Sequence, residues 1–358
     1  MNQKIEWLEQ AVSTPDQKIL EAARRHQLQL TKPAGALGQL EEIAITLAGL
    51  QGTIHPEVNN IQIAVFAGDH GVTEEKVSAY PQAVTAQMLE NFAQGGAAIN
   101  VLAKEVNAKL VVVDVGVNAP VSTSNRIIIK RLVDGTANFC KHAAMSFAAL
   151  EASLMVGREI AQQGLDDGMQ LFIGGEMGIG NTTSATALAA SLMEMSVEQL
   201  AGAGTGLDEK GVTHKRFVIE QALYFHRNEA ITVLDKLRCF AGVEIVALVG
   251  AYVFCAQNRI PVLVDGFIAS VAAMYAQVLN NGVREWLLFS HKSKEPGHIH
   301  VLESMQATPL IDLQMRLGEG SGAAVTVSII KLALALHNNM ATFSQAGVAT
   351  KVTNKETT

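Results

Sequence analysis

Two carboxylates, Glu176 and Glu319, each stand alone in a run of glycines and small hydroxyl residues: GGEMGIGNTTSATALAA at 174–190 and RLGEGSGAA at 316–324. Each run opens into an Ala-rich, helix-prone segment. Bare backbone N–H groups at the positive end of a helix suit a phosphate. A carboxylate repels that anion, so it must face another part of a ligand or brace the loop from behind. A phosphate cradle beside a lone acid points to chemistry on a phosphorylated small molecule.

Other segments compete for a role. GAGTGLD at 202–208 resembles half of a dinucleotide fingerprint, but no clear strand precedes it and no acidic residue follows in the right context. A Gly-rich loop closing over a ligand is the better reading. No GxxxxGK[ST] occurs, which disfavours P-loop hydrolysis. Lys215, a few residues on, reads equally as a phosphate clamp or an exposed helix lysine. SHKSKEPGHIH at 290–300 packs His291, Glu295, His298 and His300 together, yet the spacing fits no helix-borne metal pattern, and Pro296 with Gly297 makes it a loop. Ordering the neighbouring site through hydrogen bonds suits it better than a metal. AGDHGV at 67–72 is either site lining or a structural turn. In SAYPQAVTAQMLENFAQGGAAIN (78–100), Tyr80, Pro81, Gln87, Met88 and Leu89 suit a flat apolar pocket for an aromatic ligand, against the plainer reading of an amphipathic helix.

The elements that position these residues follow from the texture of the chain. Short β-branched runs end in glycine and a polar residue: IQIAVFAGDHG, KLVVVDVGVN, MQLFIGGEMG, IPVLVDGF and REWLLFSH. Helix-length, Ala-rich stretches separate them. Apolar strands alternating with helices predict an α/β fold, a parallel Rossmann-like sheet with helices on both faces. Asp69 with His70, Asp114, Glu176, Asp265, and Ser290 with His291 all fall at strand carboxyl ends, where open parallel sheets bind ligands at the reversal of strand order. Both ends of the chain have helical periodicity, broken by TKPAGALG near the start. The division expected is a small helical subdomain from residues 1–55 with 330–358, and an α/β catalytic domain from 56–329, with KVTNKETT as a frayed tail.

Composition narrows the class. The chain has 358 residues, 49% of them apolar, and a formal charge of -7 without a Lys/Arg stripe, which argues against a nucleic-acid partner. Three cysteines, Cys140, Cys239 and Cys255, show no CxxC spacing, so a disulfide framework is not expected. The N-terminus lacks signal-peptide character, and the longest apolar stretch noted, Ile245 to Ala256, is too short for a bilayer. A soluble cytoplasmic enzyme without membrane association is the expectation.

KPAGALGQLE, FAGDHGV, SAYPQAVTAQM, GGEMGIGNTTSAT, GAGTGLD, VDGF, SHKSKEPGH and RLGEGSGAA occur in this order. Together they closely resemble the nicotinate-nucleotide:dimethylbenzimidazole phosphoribosyltransferases of cobalamin lower-ligand synthesis, from about Lys32 to Val348. The chain departs from that pattern at Ala203 and in FAGVE (240–244), neither of which removes a titratable group. The resemblance implies conversion of nicotinate mononucleotide and 5,6-dimethylbenzimidazole to α-ribazole 5′-phosphate and nicotinate, by a homodimer. It assigns the general base to Glu319, leaving Glu176 a supporting catalytic role. Gly178, Gly180, Asn181, Thr182 and Thr183 are then the donors to the 5′-phosphate, with Lys215 as countercharge. Tyr80, Gln87 and Leu317 are the candidates for the benzimidazole slot, and Gly204, Asp265 and Gly318 complete the substrate-binding set. Nicotinate leaves as a neutral pyridine, and no acidic pair for magnesium precedes NTTS or GTG. Neither a metal nor a cofactor is therefore expected. Two rivals are a nucleotide hydrolase with Glu319 activating water, and a non-catalytic nucleotide sensor.

Overall fold

The structure, a computed structural model, describes residues 5–121 and 126–349. It divides into two compact units. One comprises the described residues of Met1–Ser13 and Asn59–Thr326, the other those of Thr14–Val58 and Val327–Thr358.

Six parallel strands form the core of the larger unit: β1 (Ile61–Gly68), β2 (Ala108–Gly116), β3 (Ile127–Ile129), β4 (Leu171–Met177), β5 (Val262–Val264) and β6 (Leu287–Phe289). Their order, β3-β2-β1-β4-β5-β6, is that of a doubly wound sheet whose direction of winding reverses between β1 and β4. All eight residues of β1 are buried, as covering both faces of a sheet requires. Five of the strands are the apolar runs named above. The short edge strand β3 is an addition, carried only by the triplet Ile127-Ile128-Ile129. Helix Val243–Gln257 packs on Phe147–Asp166 and on β1, β2 and β4. Fourteen of its residues are buried, from Val243 to Ala256.

Helices Gln17–Gln29 and Gln39–Gln51 build the smaller unit around Ala23, Ile45 and Ala48. Asp16 caps the first of them through the amides of Lys18 and Ile19. His337 ties the unit together: Gln27 Nε2 lies 2.7 Å from its Nδ1, and its Nε2 lies 2.9 Å from the Ile54 carbonyl. A buried Lys32–Glu41 pair at 2.8 Å joins the loop before the second helix to that helix.

Two features differ from the sequence reading. Residues 5–13, expected in the helical subdomain, belong to the larger unit. Only a 3-10 turn forms there, Glu6–Glu9, whose Trp7 and Leu8 are buried. Gln257 Nε2 donates to the Trp7 carbonyl at 2.7 Å, Asn280 Nδ2 to that of Leu8 at 2.9 Å, and Trp286 Nε1 to that of Ser13 at 2.8 Å. Those captured carbonyls, rather than helical periodicity, decide where the segment goes. Second, Ser321–Asn339 is, among the described residues, the one helix long and apolar enough by composition to cross a bilayer. It is mostly buried inside the protein, as core helices are, and its first turn is anchored on a buried aspartate. KVTNKETT lies outside the described residues.

Candidate active site

Glu176 is the penultimate residue of β4, and Glu319 sits in the turn that opens helix Ser321–Asn339. The Glu319 amide donates to the Glu176 carbonyl at 3.3 Å, so the two acids are joined through their backbones. Gly318, Glu319 and Gly320 have φ of +92°, +64° and +82°. For a glutamate this left-handed conformation is strained and persists only where its surroundings over-determine it. The surroundings do so by close approach. Gly318 turns its bare Cα to the Glu176 carboxylate, and Gly175 turns its own to the Glu319 carbonyl; a Cβ at either position would collide.

Asp265, just beyond β5, holds the turn from below. Its carboxylate accepts from the amides of Gly320 at 3.2 Å and Ala323 at 2.9 Å. These are orphan donors at a helix start, which a carboxylate satisfies well. His291 Nδ1 stands 3.7 Å from the same residue. Asn181 donates its side-chain amide to Glu176 Oε2.

Burial governs the charge state of both acids. It holds the Glu176 carboxyl well above the usual carboxylate range, and the charges of Glu244, Asp265 and Glu319 add to the rise. It lifts Glu319 to about 7, against a hydrogen bond with the Ile99 backbone and with a further push from Asp265. Glu319 Oε2 has no hydrogen-bond partner among the described residues. A carboxylate with a free oxygen and a pKa near neutrality is poised to take a proton.

Both acids line a cavity of about 420 Å³, a size that suits a small-molecule ligand. Segments following β4, β5 and β6 form most of its wall. Its apolar lining includes Val84, Met88, Met177, Ile179, Phe267 and Leu317. Asn181, Thr182, Gly204, Thr205 and Arg316 also line it. Arg316 Nη1 donates to the Gly204 carbonyl at 2.9 Å, fixing a cation at the rim. Behind Thr182 lies Lys215, fully buried, with Nζ 2.9 Å from Thr182 Oγ1 and 3.4 Å from the Gly202 carbonyl. Burial lowers its pKa to about 8, opposed by Glu295.

A phosphoribosyltransferase family model matches residues 12–348. The chain is 54% identical over 343 residues to the nicotinate-nucleotide–dimethylbenzimidazole phosphoribosyltransferase of Pseudomonas putida F1, covering 96% of this chain and 98% of that one. The Pseudomonas syringae enzyme of the same name is 54% identical over 345 residues, 96% of this chain and 97% of its own. The crystal structure of CobT from Thermus thermophilus superposes with a TM-score of 0.89 at 40% identity, covering 93% of this chain and 99% of that chain. This chain belongs to the nicotinate-nucleotide–dimethylbenzimidazole phosphoribosyltransferase family.

Of the residues singled out in the sequence of this phosphoribosyltransferase, Glu176, Glu319, Tyr80, Gly178, Asn181, Thr182, Gly204, Asp265, Leu317 and Gly318 line the cavity. Lys215 lies behind Thr182 and Gly204 rather than in the lining itself, and its exposed-lysine reading fails because it is buried. Gln87, Gly180 and Thr183 do not line it. Gln87 is exposed while Val84 and Met88 of the same helix face the cavity. Gly180 backs onto Thr73 and His70, and Thr183 is buried with its hydroxyl unpartnered.

The crevice expected at the β1–β4 reversal is displaced toward β5 and β6, because side chains fill the β1 side. His70 Nε2 lies 2.7 Å from buried Glu244, Asp69 accepts from the Asn118 amide at 2.8 Å, and Asp114 pairs with Arg131 at 2.8 Å. AGDHGV is therefore a structural turn. The 290–300 segment is not all loop: Pro296 starts a helix at Gly297–Ser304, as proline favours. His298 spends both ring nitrogens on Ser270 Oγ (2.9 Å) and the Ser293 amide (2.8 Å). Burial lowers its pKa to about 3, with His291 and Lys292 adding to the fall.

Arg316 and Phe267 escaped the sequence reading. Arg316 opens the RLGEG motif and so was within reach. Phe267 follows VDG directly and carries no polar signal.

Proposed function

We propose that the chain transfers the phosphoribosyl group of nicotinate mononucleotide to 5,6-dimethylbenzimidazole, giving α-ribazole 5′-phosphate and nicotinate for the cobalamin nucleotide loop, with Glu319 as general base. The names of the relatives support the substrates, and one observation carries the chemistry. Glu319 presents an unpartnered buried oxygen, with a pKa of about 7, beside an apolar wall fit for a flat heterocycle.

The reaction balances without a metal. One benzimidazole nitrogen attacks C1 of the ribose while the glycosidic C–N bond breaks, and its electron pair returns to the pyridine ring, which leaves neutral. The second benzimidazole nitrogen then carries a surplus proton, which passes to Glu319 as the new bond forms. Asn181, Thr182 and Gly204 hold the 5′-phosphate, with Lys215 and Arg316 as countercharges. Glu176 supports the ribose and, through its backbone, the position of Glu319.

Purified protein incubated with nicotinate mononucleotide, with and without the base, tests this by mass spectrometry. α-Ribazole phosphate formed only when the base is present supports transfer. Ribose 5-phosphate released without the base supports the hydrolase, and unchanged nucleotide the sensor. We further infer a cytoplasmic homodimer from the family resemblance; sedimentation velocity checks the assembly state.

A further inference from the structure

A second group of donor atoms lies outside the cavity. His226 closes helix Glu209–Phe225, Glu229 follows in the next turn, and Cys239 belongs to helix Val233–Phe240. One donor atom from each lies within 4.8 Å of the others. His226 and Cys239 are buried, whereas the Glu229 side chain is 56% exposed. None of the three lines the cavity.

One ring nitrogen of the histidine has no hydrogen-bond partner among the described residues. Its Nε2 lies 2.9 Å from the Phe139 carbonyl, which only accepts, so Nε2 carries a proton. Nδ1 is buried and makes no hydrogen bond among the described residues. The nearby Glu229 Oε2 is 3.5 Å away and is also approached by Arg238 Nη2, at 3.4 Å. An imidazole that donates from one nitrogen to a carbonyl and leaves the other bare is the arrangement found in metal-ligating histidines.

We propose that His226 Nδ1, Cys239 Sγ and a Glu229 carboxylate oxygen bind a zinc-class divalent ion, with water in the fourth position. Thiolate with imidazole selects a borderline-soft ion, while magnesium and calcium demand oxygen ligands. Tetrahedral bond lengths of about 2.0–2.3 Å place ligand atoms roughly 3.3–3.8 Å apart, so modest side-chain adjustment closes the present spacing. Exposed Glu229 gives the ion a path from solvent, and the thiol proton leaves as the ion binds. The charges of one thiolate and one carboxylate then balance the ion. Its effect is structural, clamping the end of the helix that carries Lys215 to the helix that follows.

The test uses the untagged full-length chain, stripped with chelator and titrated with cobalt(II). The expected result is a thiolate-to-cobalt charge-transfer band that saturates at one equivalent and is abolished by zinc. The band should persist in Cys140→Ser and Cys255→Ser and vanish in Cys239→Ser. X-ray absorption of zinc-loaded wild type, which needs no variant to fold, should show one sulfur and at least one imidazole around the metal. Absence of the band in wild type, its survival in Cys239→Ser, or a zinc shell of oxygen alone overturns the proposal.

Discussion

The amide of Glu319 donates to the carbonyl of Glu176 at 3.3 Å, so the two acids of the cavity share one backbone hydrogen bond. The backbones that carry the two carboxyls are therefore tied to one another. The consequences of that link, and of the burial around it, can each be measured.

Glu319→Gln keeps the shape of the side chain and removes its basicity. Turnover is expected to fall about a hundredfold or more, the usual worth of a positioned base. Calorimetry should find both substrates still bound. Near wild-type turnover in this variant would remove Glu319 from the chemistry.

The raised pKa of Glu319 sets two pH dependences. kcat/KM for wild type should fall as pH drops below about 7, where the carboxylate takes up its proton. Stability runs the other way. The folded protein holds this proton up to about pH 7, whereas the unfolded chain releases it at the ordinary carboxylate value of 4.5. Stability from this group is thus full below 4.5 and lost progressively as pH rises to about 7. Glu319→Gln, which never ionises, should unfold at higher denaturant than wild type at pH 8, with the difference gone at pH 4.

Gly318→Ala puts a methyl group against the Glu176 carboxylate at a φ of +92°. The left-handed backbone alone costs about 1–2 kcal/mol. The variant should remain folded by circular dichroism, while turnover drops at least about tenfold, one factor for each 1.36 kcal/mol added to the barrier. Unaltered kinetics would show that the turn can yield without disturbing the acids.

Lys215→Ala and Arg316→Ala each remove a charge proposed to face the phosphate. Each should weaken nicotinate mononucleotide binding about ten- to a hundredfold, the worth of a charged hydrogen bond, and leave affinity for the benzimidazole unchanged. Equal losses for both substrates would mean that the side chain supports the cavity rather than the phosphate.

Phosphoribosyl transfer should survive excess chelator, because the leaving group is a neutral pyridine. The ion proposed at His226, Glu229 and Cys239 stands apart from the cavity. Its removal should lower the melting temperature while the rate at 25 °C is unchanged. Activity lost to chelator and restored by one divalent ion would place a metal in the reaction.

What could be read from the sequence was whatever depends on residue type along one segment. Glu176 near the carboxyl end of β4, and the Gly-Glu-Gly turn at Glu319, are local patterns, and both stand at the cavity. What could not be read depends on partners distant in the chain. Gln87 and Met88 are neighbours, yet only Met88 faces the cavity, because the packing of helix Val84–Gln94 sets its rotation. His70 beside Asp69 had the look of a site until Glu244 supplied its buried partner. Lys215 is hidden because Thr182 and the Gly202 carbonyl close around it. His226 and Cys239 are too far apart in sequence to form a ligand motif.

Gly175 lies in β4, whereas the turn that rests on it comes near the end of the larger unit. A ribosome releases the N-terminal part of a chain first. The strands and the seat at Gly175 are thus made well before the acid that occupies it. A nascent chain halted short of Gly318 carries the whole sheet and no Glu319. On the role proposed for Glu319, partly synthesised copies lack the base, and the set of acids is completed only when the last turn docks.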